Sequence, residues 1–127
     1  MRPGPLVVAL LAAAALALAP AKAGARSSSC GRAGDWCVFT YHRHGQVLLE
    51  VRSFGRFWSH LRVCVTGPRA PRRECVPITL RRVKVYVART SWPKRFHQHG
   101  EGLYRVRFYA DGHRLGRRVS FRLPAHR

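Results

Sequence analysis

Alternation of apolar and polar residues at every second position is the feature that most limits how this chain can fold. In residues 60–66, Leu61, Val63 and Val65 alternate with polar or cysteine positions, and no stretch of the mature chain sustains the 3.6-residue period of a helix. The same alternation recurs in about seven short runs. These runs are residues 36–42, 46–54, 60–66, 74–80, 82–88, 103–109 and 117–123. We therefore predict an all-β fold, an antiparallel two-sheet sandwich of about seven strands.

The first 23 residues are typical of a secretory signal peptide. Arg2 precedes an apolar run from Leu6 to Ala19, and Ala21-Lys22-Ala23 offers the small residues that signal peptidase reads. The run is short for a bilayer span, which takes about 20 apolar residues. We expect residues 1–23 to be cleaved, residues 24–34 to form a leader or loop, and residues 35–127 to form one sandwich domain of a secreted, extracytoplasmic protein.

Four cysteines in a short secreted chain predict two disulfides, for which three connectivities are possible. We favour Cys30–Cys37 and Cys64–Cys75, because each pair brackets one short connection. Cys64 and Cys75 also lie on the same face of two neighbouring predicted strands, where their side chains can meet. Their spacing is unlike that of zinc-binding cysteines. Pro77 has no amide hydrogen to donate, which makes the second of these strands an edge strand.

The chain is strongly basic. Loss of Arg2 and Lys22 with the signal leaves 22 of the 24 basic residues against five acidic ones, a net charge of +17. Such a field attracts polyanions: wall or matrix polymers, nucleic acid, or anionic lipid. Arginine outnumbers lysine, as coding bias in a GC-rich genome also produces, and no run of five basic residues occurs. The candidate polyanion-binding residues point outward from predicted strands; they are Arg62, Arg82, Lys84, Arg105, Arg107 and Arg122.

The segment Gly102-Leu103-Tyr104 resembles the start of strand F in immunoglobulin-like domains, where a tyrosine hydroxyl bonds back to nearby backbone. The strand that follows ends at Asp111-Gly112, a strong two-residue turn signal, and the hairpin resembles strands F and G closing a sandwich. The resemblance implies an immunoglobulin-like architecture, with Tyr104, Val106 and Phe108 pointing inward. It supplies no catalytic residues, because one fold can carry many unrelated functional sites. It mildly favours a binding role.

The histidines offer the strongest alternative chemistry. His42 and His44, and likewise His97 and His99, are two residues apart, so each pair lies on one side of an extended chain. Imidazole pairs suit copper or zinc, but no acidic residue lies near His42 and His44 to orient them, and Glu101 is the only one near His97 and His99. We predict no metal and no cofactor. Glu101 beside His97 or His99 provides an acid and a base for a nuclease, a set that such a histidine-rich chain also produces by chance.

Two further segments interleave aromatic and basic residues, 54–58 and 91–96. If exposed, they suit glycans or single-stranded nucleic acid. We favour their burial at the ends of the core, as large aromatic side chains bury most of their surface.

The sequence thus predicts a small, secreted, disulfide-stabilised and non-catalytic binding or structural domain that contacts anionic extracellular or cell-surface polymers. One alternative is a cationic, membrane-active defence or toxin-like protein. A second alternative is a secreted ribonuclease or a metal-binding protein. No catalytic residue is assigned.

Overall fold

The computed structural model describes residues 26–69, 72–92 and 94–124. The predicted signal peptide therefore lies outside the described residues. Among the residues described, no helix is long and apolar enough to cross a membrane. These residues form nine β-strands: β1 (Arg26–Cys30), β2 (Trp36–Arg43), β3 (Gln46–Ser53), β4 (Leu61–Thr66), β5 (Glu74–Ile78), β6 (Arg81–Arg82), β7 (Tyr86–Trp92), β8 (Gly102–Ala110) and β9 (His113–Leu123).

The strands form two antiparallel sheets. A five-stranded sheet has the order β1-β2-β3-β7-β6, and a four-stranded sheet has the order β5-β4-β8-β9. The prediction of an all-β, sandwich-like fold of two antiparallel sheets is confirmed. The predicted hairpin turn at Asp111-Gly112 is also confirmed, since both residues have positive φ, 48° and 84°, as a type I′ turn requires.

The core lies between the sheets and follows the alternation of the sequence. Val51 of the five-stranded sheet and Val63, Val106 and Phe108 of the four-stranded sheet are completely buried. Tyr104 is also buried, with its ring stacked on Phe121 at 5.0 Å between centroids. The expected inward positions of β8 are therefore correct, and burial of these apolar side chains is the main force that holds the sheets together.

The two disulfides join the favoured pairs, Cys30–Cys37 and Cys64–Cys75. In both cases the cysteines are direct cross-strand partners, between β1 and β2 and between β4 and β5. β5 lies at the edge of its sheet, as Pro77 predicted.

Residues 26–30 differ from the expected leader or loop, because they form β1. This strand pairs with β2 along its whole length and joins the two sheets at one side. The hydroxyls of Ser29 and Ser27 accept hydrogen bonds from the backbone amides of Arg117 and Ser120 in β9, and Thr40 donates to the carbonyl of Ser120. Short polar side chains here satisfy the backbone of a neighbouring sheet, a role that apolar periodicity does not reveal.

The prediction of one strand over residues 82–88 is wrong. The chain bends at residues 83–85, and Val83 is 74% exposed. The bend separates β6 from β7, and the buried positions of β7 are Ala88, Thr90 and Trp92. The long connection to β8 therefore starts after Trp92. Three alternating valines fit either face of a strand, so the pattern alone did not reveal the bend.

Candidate functional site

The outward positions of the four-stranded sheet carry a concentration of arginines. Val63 and Phe108 face the core and pair with each other, so the alternate positions of β4 and β8 face away from it. The pairing of β4 with β8 places Arg62 opposite Tyr109, and Cys64 opposite Arg107. β9 adds further arginines on the same face. We call this surface the arginine face; it consists of Tyr109 with Arg62, Arg73, Arg105, Arg107, Arg114, Arg118 and Arg122.

A shallow cleft of about 320 Å³ lies in the arginine face. Tyr109, Thr66 and Cys64 line part of it. Its other lining residues include five arginines: Arg73, Arg105, Arg107, Arg114 and Arg118. A guanidinium group carries its charge at every physiological pH and presents five N–H donors in a planar fork. The cleft is therefore a permanent concentration of cationic hydrogen-bond donors.

Tyr109 organises one side of this cleft. The guanidinium carbons of Arg62 and Arg73 lie 4.9 and 5.2 Å from the centre of its ring, within the range of cation–π attraction. Arg73 also donates a hydrogen bond from Nη1 to the Tyr109 hydroxyl. These contacts hold two of the arginines in place before any ligand binds, which lowers the entropy lost on binding.

Among the described residues, no carboxylate forms an ion pair with the arginine face. The described ion pairs involve Arg52 and Arg89 with Glu50, His60 with Asp111, and His97 with Glu74, and none of these residues belongs to the face. The positive charge of the face is thus available to an external anion.

Glu50 is fully buried on the outer side of the five-stranded sheet, away from the arginine face. Its Oε1 accepts hydrogen bonds from the Tyr41 hydroxyl and from Nε of Arg89, both at 2.8 Å. Nη2 of Arg52 lies 2.7 Å from Oε2, although the contact lacks the alignment of a hydrogen bond. Burial, together with the hydrogen bond to Glu50, raises the pKa of Tyr41. This cluster neutralises a buried charge and anchors β2, β3 and β7 to one another.

The other acidic groups with perturbed pKa values lie in loops or at strand ends. A hydrogen bond from the side chain of His97, and a second from its backbone amide at 2.8 Å, lower the pKa of Glu74. The same side-chain contact raises the pKa of His97. The backbone amides of His60 and Ser59 donate to Asp111 and lower its pKa. These acids fasten loops rather than enter the cleft.

The structure brings four of the six predicted polyanion-binding residues together: Arg62, Arg105, Arg107 and Arg122. Arg82 and Lys84 lie instead on β6 and in the bend after it, at the edge of the other sheet.

Four members of the face were not predicted from the sequence: Arg73, Tyr109, Arg114 and Arg118. The four-residue spacing of Arg114, Arg118 and Arg122 places all three on one face of an extended strand, a signal that was present in the sequence. Arg73 precedes β5 in a loop, and no local pattern marks it.

The histidines are divided between separate places. His42 lies near the end of β2, and His44 lies in the turn between β2 and β3 with a positive φ of 50°. His97 contacts Glu74, and the backbone amide of His99 donates to the Tyr104 hydroxyl. The described parts of the chain contain no group of three or more His, Cys, Asp or Glu side chains arranged to hold a metal ion. In the nuclease hypothesis, His97 would act with Glu101, but its imidazole contacts Glu74 instead.

The aromatic segments differ in their burial. Trp92 and Phe96 belong to the core, as expected, whereas Phe54 and Phe57 are 56% and 50% exposed and Trp58 is half-buried. The expectation of burial is thus wrong for the two phenylalanines.

The chain matches no protein-family model, no curated protein and no solved structure.

Proposed function

We propose that this protein is a secreted, non-catalytic binding domain whose arginine face contacts anionic extracellular or cell-surface polymers. One observation carries the proposal: five arginines line a single cleft, and no described carboxylate pairs with them. Guanidinium forks bind sulfate, phosphate and carboxylate oxygens in pairs, with directional hydrogen bonds. The favoured ligand is therefore one that carries many oxyanions.

The extent of the face over several strands favours a polymer over a single small anion, although a register shift interrupts the pairing of β8 with β9 between Val106 and Phe108. Neighbouring strands are about 4.8 Å apart, and alternate residues on one strand are about 7 Å apart. Arg105 and Arg107 on β8, with Arg118 and Arg122 on β9, thus present a grid of charges rather than one enclosed pocket. An extended polyanion engages several of these groups at once, and its binding energy is mainly electrostatic.

We infer an immunoglobulin-like arrangement for the fold that carries this face. The strand orders β2-β3-β7-β6 and β5-β4-β8-β9 correspond to A-B-E-D and C′-C-F-G in that architecture, with β1 added outside β2. The Tyr104 hydroxyl donates to the carbonyl of Gly100 at 2.7 Å, which supports the tyrosine-corner resemblance. The two disulfides and the predicted signal peptide support an oxidising, extracytoplasmic location.

Heparin chromatography with a salt gradient tests the proposal. The protein is purified as the host secretes it, and its intact mass shows where the chain begins. Two double variants remove equal charge: Arg105→Gln with Arg107→Gln on the arginine face, and Arg82→Gln with Lys84→Gln away from it. Both positions of each pair are solvent-accessible, so both variants are expected to fold.

We expect the variant on the face to elute at clearly lower salt than its control. With a single-stranded nucleic acid, the variant on the face is expected to lower the slope of log affinity against log salt by about 1.4, since each lost contact contributes about 0.7. Equal shifts for the two variants contradict the proposal, because affinity would then follow net charge alone. Hydrolysis of RNA by the purified protein, abolished by His97→Ala, contradicts its non-catalytic part.

A further inference from the structure

The loop between β3 and β4 presents two large apolar side chains to solvent. Phe54 is 56% exposed and Phe57 is 50% exposed, with Arg56 between them also exposed. The only other large apolar side chain that is exposed in the described residues is Val83. We call the segment from Phe54 to Phe57 the aromatic tip. Isolated exposed apolar residues are common, but two phenylalanines beside an arginine in four residues form a concentrated patch.

Hydrogen bonds hold the start of the aromatic tip in place. The amide of Phe54 donates to the carbonyl of Asp35 at 3.0 Å. The hydroxyl of the buried Ser53 donates to the carbonyl of Gly55 at 2.6 Å and accepts from the amide of Gly55 at 3.2 Å. These bonds hold the backbone at Phe54 and Gly55, where the tip begins.

Aromatic rings support the tip from beneath. Phe57 contacts Trp58 edge to face at 5.6 Å, and Trp58 contacts Trp36 in the same way at 6.0 Å. Both tryptophans are only partly buried against the core. Gly31 allows the Trp36 indole to lie against its backbone, since a Cβ there would come within 2.5 Å of Nε1. The tip is thus a preorganised apolar wedge rather than a loose loop.

The tip lies at the same end of the sandwich as one end of the arginine face. Beyond Trp58, the amides of Ser59 and His60 donate to the carboxylate of Asp111 in the turn between β8 and β9. Arg114 follows this turn on β9, opposite Tyr109. An anionic surface that receives the tip is therefore also close to the basic residues of β9.

We propose that the aromatic tip inserts into the interface of anionic lipid bilayers. An aromatic wedge with an adjacent arginine suits the boundary between acyl chains and phosphate headgroups. Two half-exposed rings supply far less than the roughly 800 Å² per partner that a stable protein interface buries. The net positive charge of the chain matches an anionic leaflet.

Cosedimentation with vesicles tests this proposal on the secreted protein, free of its predicted signal peptide. The vesicles contain equal amounts of phosphatidylcholine and phosphatidylglycerol, and binding is measured at low salt and at about 1 M salt, where the Debye length falls to about 3 Å. The test variant is Phe54→Ser with Phe57→Ser. The matched control is Val83→Ser, which removes an exposed apolar side chain elsewhere.

We expect binding of the wild type to retain a component that resists high salt. Each phenylalanine substitution lowers that component by about tenfold, since about half of each ring is available for burial, and Val83→Ser leaves it unchanged. Lipids brominated on their acyl chains are expected to quench tryptophan emission of the wild type, because Trp58 lies directly beneath the tip.

Complete loss of wild-type binding at high salt, or equal binding by the tip variant, overturns the proposal. So does a tip variant that alters only self-association, because the tip would then contact a second copy of the chain. Heparin retention of the tip variant is expected to equal that of the wild type. A failure of the arginine-face proposal is therefore distinguishable from a failure of this one.

Discussion

Replacement of Glu50 by glutamine tests how much the buried charge cluster contributes to stability. The substitution keeps the size of the side chain and the oxygen that accepts from the Tyr41 hydroxyl. It removes the negative charge that faces Arg52 and Arg89 at 2.7 and 2.8 Å. The new amide also directs N–H groups toward a guanidinium, which has no acceptor.

The expected loss of stability follows from the number and exposure of these contacts. A hydrogen bond to a charged group contributes about 1.5–3 kcal/mol. The substitution weakens the hydrogen bond from Arg89 and removes the close charge contact of Arg52, which is not a hydrogen bond. The side chains of Arg52 and Arg89 are 23% and 41% exposed, so both regain water and part of the loss is recovered. We expect the free energy of unfolding to fall by about 2–3 kcal/mol. For a domain of this size that lowers Tm by about 10–20 °C.

Urea unfolding, followed by tryptophan fluorescence with the disulfides intact, measures this change. Glu101→Gln is the matched control, because it removes the same charge from an exposed loop residue for which no described ion pair exists. The control is expected to change the free energy of unfolding by less than about 0.5 kcal/mol. Equal midpoints for the two variants would refute the reasoning, since the cluster would then add nothing beyond its charge.

Three further predictions concern the fastenings of the sandwich. Tyr104→Phe removes a hydroxyl that both donates and accepts a backbone hydrogen bond, and we expect a loss of about 1–3 kcal/mol in urea unfolding with unchanged heparin retention. Joint replacement of Cys64 and Cys75 by alanine opens a loop of sequence separation 11 and is expected to cost about 3 kcal/mol in the same assay. Because the pKa of His97 is raised from 6.5, protonated His97 stabilises the fold fully at pH values below 6.5. Because the pKa of Glu74 is lowered from 4.5, ionised Glu74 stabilises the fold fully at pH values above 4.5. The free energies of unfolding of the wild type and His97→Gln should therefore differ most between pH 4.5 and pH 6.5. The difference should shrink as the pH rises through the pKa of His97 or falls through that of Glu74. A difference that does not depend on pH contradicts the ion pair between His97 and Glu74.

Most of the sheet architecture could be predicted because one face of each long strand is buried. Alternation located β4 and β8, since a strand that buries one face must keep that period. The inward direction of Tyr104, Val106 and Phe108 followed from the resemblance of Gly102-Leu103-Tyr104 to the start of strand F. Alternation did not predict the structure correctly where the segment has no buried apolar face. β1 consists of serines that serve the backbone of β9, and the bend after β6 interrupts a run of valines whose alternation does not distinguish a strand from a bend.

The candidate site was predictable only in part, because it depends on neighbours in space. Arg105 and Arg107 could be assigned to the outer face from their own strand. Arg73 joins them only because its guanidinium lies over Tyr109, a contact between a loop and a strand 36 residues apart. The backbone at the start of the loop that carries Phe54 and Phe57 is likewise held by hydrogen bonds, which composition does not encode.

The seam between β1 and β9 has a consequence for the kinds of partner this protein accepts. Sheet edges normally expose backbone groups to which a foreign strand can add. Here the amides of Arg117 and Ser120 on the outer side of β9 already donate to the hydroxyls of Ser29 and Ser27. A peptide strand can therefore add to the four-stranded sheet at β9 only if it first displaces those serine hydroxyls from the two amides.

The opposite edges are protected by other means. β5 contains Pro77, whose carbonyl accepts a hydrogen bond from Arg95 at 3.1 Å, and β6 is only two residues long. Strand addition, a common route both to peptide capture and to amyloid-like association, is therefore disfavoured at these edges. Recognition is left to side chains, and protection of the sheet edges also lowers the risk of aggregation.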